Sequence, residues 1–135
     1  MAFTRAASDD GGMANTAPGS IPAYAVAYLR DVDFGDEIIR YMREIDATLE
    51  PFGGEFIVHG GQADVREGDW GGGDLVVIKF PDKEAAVRWY ESAAYQRIAA
   101  LRENNSHSIV ALVEGVAPGH TGSKRVDELL GRQVS

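Results

Sequence analysis

From Ala23 to Val32 the chain alternates, with Tyr24, Val26 and Tyr28 on one side and Ala25, Ala27 and Leu29 on the other. That two-residue period predicts a first β-strand. Asp33 to Asp36 supplies a cap, and Asp36 and Glu37 place negative charge where a helix dipole favours it. Ile38, Met42, Ile45 and Leu49 then recur at spacings of four and three, the apolar stripe of a helix that Pro51 and Gly53-Gly54 stop. Glu55 to His59 reads as a second strand, with Phe56 and Val58 on one face and Ile57 and His59 on the other. Gly60-Gly61 interrupts it, and Gln62 to Arg66 is expected to resume pairing beyond the interruption. Glu67 to Gly73 is a glycine-rich hairpin loop carrying Trp70.

Leu75 to Phe80 is apolar on both faces except at Lys79, which predicts a central third strand. Asp82 caps a second helix along which Ala86, Tyr90, Ala94, Ile98 and Leu101 lie near one stripe, up to a stop at Asn104-Asn105. Ser108 to Glu114 completes a β-α-β-β-α-β order. The class is α+β: a ferredoxin-like, four-stranded antiparallel sheet with both helices on one face. The uncovered face carries apolar side chains, which predicts a homodimer that packs sheet against sheet.

Composition narrows the partners. With 135 residues the chain suits one domain, taken as residues 21–116, between an N-terminal arm over 1–20 and a tail over 117–135. The arm reads Asp9-Asp10-Gly11-Gly12 where a secretory signal would be apolar, and its composition predicts flexibility. Within the tail, Val126, Leu129 and Leu130 predict a short helix over Lys124 to Gln133. A net charge of −8 repels phosphate backbones and anionic lipid, so neither nucleic acid nor a membrane is an expected partner. The absence of cysteine excludes disulfides and thiolate chemistry and suits a cytoplasmic location. No apolar run approaches the roughly 20 residues a spanning helix needs.

These motifs carry a resemblance. Gly53-Gly54-Glu55-Phe56-Ile57-Val58-His59-Gly60-Gly61, then Glu67-Gly68-Asp69-Trp70, Val77-Ile78-Lys79-Phe80-Pro81 and Ala85-Ala86-Val87-Arg88-Trp89-Tyr90-Glu91-Ser92 lead to Tyr95, Arg102 and Val113-Glu114-Gly115. Over about Ala23 to Val116 the chain resembles the family known as domain of unknown function 1330, within the dimeric α/β-barrel superfamily. The resemblance implies the ferredoxin-like dimer and no agreed activity. Where that family often has proline after the serine, this chain has Ala93, which predicts an unbroken helix across Ser92. Where it more often has arginine or another polar residue, this chain has His59.

The candidate chemistry is small. His59 is a side chain that exchanges protons near neutrality, set against the plainer reading of a hydrogen-bonded strand end. Trp89, Ser92 and Tyr95 follow turn spacing, and Tyr95 and Arg102 lie seven apart on one face, so phenol and guanidinium donors would line a pocket. The competing reading makes Trp89 core and Ser92 a cap. Tyr24 and Tyr28 would face Glu114 from neighbouring strands. His107 and His120 sit in or beside loops and share no ligand spacing with His59, and Gly71-Gly72-Gly73 precedes a strand and lacks a following lysine. Neither a metal nor any other cofactor is expected.

The leading reading is a cofactor-independent enzyme that moves a proton on a small carbonyl-bearing or phenolic metabolite: an isomerase, cyclase or lyase. His59, Tyr95 and Arg102 would be catalytic, and Tyr24, Trp89, Ser92 and Glu114 would contact substrate. The alternatives are a non-catalytic or stress-associated dimer that holds a small molecule, and a dimer whose cavity is filled by its own side chains.

Overall fold

A computed structural model describes residues 20–134. All but Ser20 of the expected N-terminal arm lies outside the described residues. Four strands, β1 (Ala23–Arg30), β2 (Glu55–His59), β3 (Asp74–Phe80) and β4 (His107–Glu114), form one sheet in the order β2-β3-β1-β4. Every pairing is antiparallel. Helix α1 (Asp36–Leu49) crosses from β1 to β2, and α2 (Lys83–Glu91) with α3 (Ala93–Glu103) crosses from β3 to β4. The last helix, α4 (Gly122–Val134), follows the sheet. This is the ferredoxin-like α+β fold.

The alternation of β1 decides the layers. Ala23 and Ala25 are buried and oppose Phe80 and Ile78, so these small residues let the helices approach the sheet. Against them pack Ile45 and Leu49 of α1, Trp89 of α2, and Tyr95, Ile98 and Ala99 of α3. The other face holds Tyr24, Val26 and Tyr28 beside Val77 and Val113, with no helix over it. Ile57, Ile109 and Val113 are exposed there.

The helix ends follow local chemistry. Helix α1 starts at Gly35 without a side-chain cap, so the expected acidic cap is absent while Asp36 and Glu37 do occupy the first turn. After it, a 3₁₀ turn (Glu50–Phe52) ends at Gly53, whose φ of 71° is the left-handed conformation that glycine adopts without strain. Asp82 accepts from the Ala85 amide at 2.8 Å and starts α2 as expected.

Four expectations need correction. The helix is not continuous across Ser92, because that residue has an extended backbone (φ −65°, ψ 146°) and both ends α2 and starts α3. The break resets the helical phase, so the buried face of α3 is Tyr95, Ile98, Ala99 and Arg102 rather than a continuation of the α2 stripe. Residues 60–73 contain no strand, so Gln62 to Arg66 does not resume pairing. The loop is held by Trp70, whose ring lies edge-on to Tyr28 at 5.4 Å and whose indole N–H donates to the Gly73 carbonyl at 2.7 Å. The Tyr28 hydroxyl donates to the Trp70 carbonyl.

The third correction concerns β2. Its register shifts between Phe56 and Val58, an irregularity at Ile57 that precedes the expected glycine interruption. Phe56 opposes Ile78 and His59 opposes Val76, both on the helix side, so His59 shares its face with Phe56 and not with Ile57. Fourth, Glu114 opposes Ala23 whereas Tyr24 opposes Val113. The carboxylate therefore belongs to the helix side and does not meet the tyrosine face.

Candidate functional site

A cavity of about 260 Å³ lies between the sheet and the helix layer. Ala25, Ala27, Val76, Ile78 and Phe56 form its floor, and Ile38, Tyr41, Met42 and Ile45 of α1 form a wall. Ala25 and Ala27 of β1 fill little of the space above the floor. Trp89, Tyr95 and Arg102 also line it.

The polar groups are separated by depth. His59 is exposed, and its ring stacks on Phe56 with centroids 4.2 Å apart and planes within 5°. It is therefore a group at the mouth, held by an aromatic face and by no hydrogen bond among the described residues. Inside, the Tyr41 and Tyr95 hydroxyls lie 2.8 Å apart, joining α1 to α3. Tyr95 is 1% exposed and Arg102 4%. The guanidinium donates from Nη1 to the Ser108 hydroxyl at 2.6 Å, while its buried Nε has no partner among the described residues.

The electrostatics of this inner group follow from burial. Desolvation pushes the Tyr41 hydroxyl far above its ordinary titration range, and the neighbouring Tyr95 adds to the shift. Desolvation works against the charge of Arg102, but the Tyr95 and Tyr41 hydroxyls beside it outweigh that cost and raise its pKa further. The inner end thus holds a permanent cation beside two neutral hydroxyls. It suits an oxygen that bears or develops negative charge.

Other candidate residues lie elsewhere. Trp89 borders the cavity, but its indole N–H is taken by Thr48 Oγ1 at 3.0 Å and its ring packs on Phe80 and Tyr95, so it is part of the core. Ser92 accepts from the Tyr95 amide at 3.2 Å and donates to the Trp89 carbonyl at 2.7 Å, which occupies its hydroxyl in capping. Tyr24 lies on the open sheet face, and Glu114 is exposed at the end of β4. Neither reaches the cavity. Tyr41 was not singled out by sequence, although it falls three residues after Ile38 and four before Ile45, on the same face.

Arg102 also borders a shallow outer groove with Arg30, Tyr90, Glu103 and Ser106. Among the described residues no cluster of histidine and carboxylates is placed to hold a metal ion. No helix of the described residues is long and apolar enough to cross a membrane.

Fold and cavity define a small ferredoxin-like α+β protein with a pocket between its layers. The chain belongs to the family described as "Domain of unknown function (DUF1330)", whose model matches residues 22–116. No curated protein matches it. Among solved structures it is similar to a protein of unknown function from Rhodopseudomonas palustris, at 18% identity and a TM-score of 0.54 over 78% of this chain and 89% of that one. It is similar to a dimeric ferredoxin-like protein of unknown function from Jannaschia sp. CCS1, also at 18% identity and a TM-score of 0.54, over 68% of this chain and 97% of that one. A weaker likeness, with a TM-score of 0.44 at 16% identity over 70% and 90%, is to SnoaB, a cofactor-independent oxygenase from Streptomyces nogalater. At these identities the likeness speaks for the fold alone.

Proposed function

We propose that the chain is a cofactor-independent enzyme that moves a proton on a small carbonyl-bearing or phenolic metabolite and works as a homodimer. One observation carries this reading. A single cavity of about 260 Å³ has the His59 imidazole at its mouth and a cation with two hydroxyls at its inner end. Arg102, Tyr95 and Tyr41 hold the ligand's oxygen and stabilise its negative charge, and His59 takes or returns the proton. The reaction class is isomerisation, cyclisation or elimination. The apolar walls exclude water, which strengthens each polar contact.

The dimer rests on the open sheet face. Ile57, Ile109 and Val113 are exposed on it, and the Jannaschia protein of the same fold is described as dimeric. A second copy laid sheet to sheet would cover this face.

A second reading, a dimer that binds a small molecule without transforming it, is favoured by one feature. Among the described residues His59 has no hydrogen-bond partner to orient it or to relay its proton. Native mass spectrometry of the purified protein identifies the bound molecule, and NMR then follows exchange of its acidic C–H protons with deuterium. Exchange that is lost in His59→Ala with binding retained supports the enzyme. Exchange at the uncatalysed rate with wild-type protein overturns it in favour of the binder.

A further inference from the structure

We propose that Arg102 is the receptor for a ligand carboxylate, and that the cavity takes a compact organic monoanion whose apolar body lies toward the mouth. This rests on the reading of the cavity as a ligand site and specifies the charge and orientation of what enters it.

The argument begins with a charge lacking a counter-charge. Arg102 is 4% exposed, and among the described residues it forms no ion pair with any aspartate or glutamate. Its neighbours Ser108, Tyr41 and Tyr95 are neutral hydroxyls. Buried cations are normally paired with an anion, whereas here tyrosine hydroxyls alone offset the desolvation. Among the described residues its Nε finds no acceptor. A ligand anion in the cavity would supply both the missing acceptor and the missing charge.

Three observations narrow the anion. The site has one guanidinium, and no lysine lines the cavity, which suits a single negative charge better than a phosphate dianion. A planar guanidinium matches a carboxylate in shape as well as charge. Most of the remaining wall is apolar (Ala27, Ile38, Phe56, Val76, Ile78), with the exposed Asp74 at the start of β3 also on the lining, so the body of the ligand is largely apolar and lies clear of that carboxylate. The volume, about 260 Å³, falls below the roughly 300–1,000 Å³ of pockets for drug-sized ligands and fits a single ring or a short branched chain. On this assignment Arg102 anchors the carboxylate from the ground state onward, and the reacting carbon lies toward His59.

The test compares acids with their neutral isosteres on the full chain. Binding of benzoate and hexanoate, each against its own primary amide, is measured by calorimetry and by the shift in thermal midpoint. The wild-type protein is expected to bind each acid roughly ten- to a hundredfold more tightly than its amide, the worth of a charged hydrogen bond. In Arg102→Met that preference disappears while amide binding persists. If the Met variant does not fold, the comparison in the wild-type protein still decides. Equal binding of acid and amide overturns the carboxylate receptor and leaves the pocket a ligand site. Binding of neither overturns both readings. Displacement of benzoate by equimolar phosphate or chloride overturns the assignment to an organic carboxylate.

Discussion

The hydroxyls of Tyr41 and Tyr95 meet at 2.8 Å across the seam between α1 and α3, although the two residues are 54 positions apart in the chain. Their edge-to-face rings, with centroids 6.2 Å apart, carry the contact from the half-buried surface of α1 to the buried face of α3. Tyr95→Phe removes one of the two partners of the Tyr41 hydroxyl, the other being Arg102, and is expected to cost about 1 kcal/mol in urea unfolding. The same substitution should weaken ligand binding, because the inner end loses a donor. Full binding in that variant would remove Tyr95 from the site.

Alkaline pH reports on Tyr41 directly. Its pKa in the folded protein is raised above the ordinary value of 10.0, by burial first and by Tyr95 second. The unfolded chain therefore loses this proton before the folded one does. Stability from this group is fully present below about pH 10 and falls as pH rises above it. Unfolding curves recorded from pH 8 to 11 should decline with a slope that Tyr41→Phe reduces by one proton. An unchanged slope would show that the group ionises freely in the folded state.

Ser92 is expected to matter for stability and not for ligand. Its hydroxyl serves the last turn of α2 and the Tyr95 amide in the first turn of α3 in one place. Ser92→Ala should cost about 1–2 kcal/mol by denaturant titration, with affinity for a bound ligand unchanged. A loss of affinity at unchanged stability would return Ser92 to the list of ligand contacts.

Ile109 is 70% exposed on the open sheet face of the protomer. Ile109→Lys places a charge where a second copy would dock, and sedimentation at micromolar concentration should then give monomer where the parent gives dimer. A parent that sediments as a monomer would sink the proposed assembly.

His59→Ala tests the mouth of the cavity. The exposed ring gives up only its stacking on Phe56, so unfolding should shift by no more than about 1 kcal/mol. Turnover should fall to background. A large loss of stability with turnover retained would make the residue structural.

Much of this architecture was legible because alternation and turn spacing are imposed by burial. Ala23, Ala25, Ile78 and Phe80 are the inward half of their strands, and Ile38, Ile45 and Leu49 the inward stripe of α1. Two of the misreadings share a cause: one residue shifts a period. The irregularity at Ile57 leaves no mark on composition, whereas Gly60-Gly61, which begins three residues further on, draws attention to itself. At Ser92 the absence of proline suggested continuity, yet a side chain able to cap in both directions ends a helix without one. The partnership of Tyr41 with Arg102 and Tyr95 depends on how two helices approach each other, which no single stretch of chain records.

Every described side chain of α4 is exposed, including Val126, Leu129 and Leu130. Thirteen residues is close to the shortest length at which an isolated helix persists in water. The C-terminal segment is therefore expected to unfold independently of the sheet. Its amides should exchange with deuterium orders of magnitude faster than those of β1, and cutting the chain after Gly119 should leave the melting of the rest unaltered.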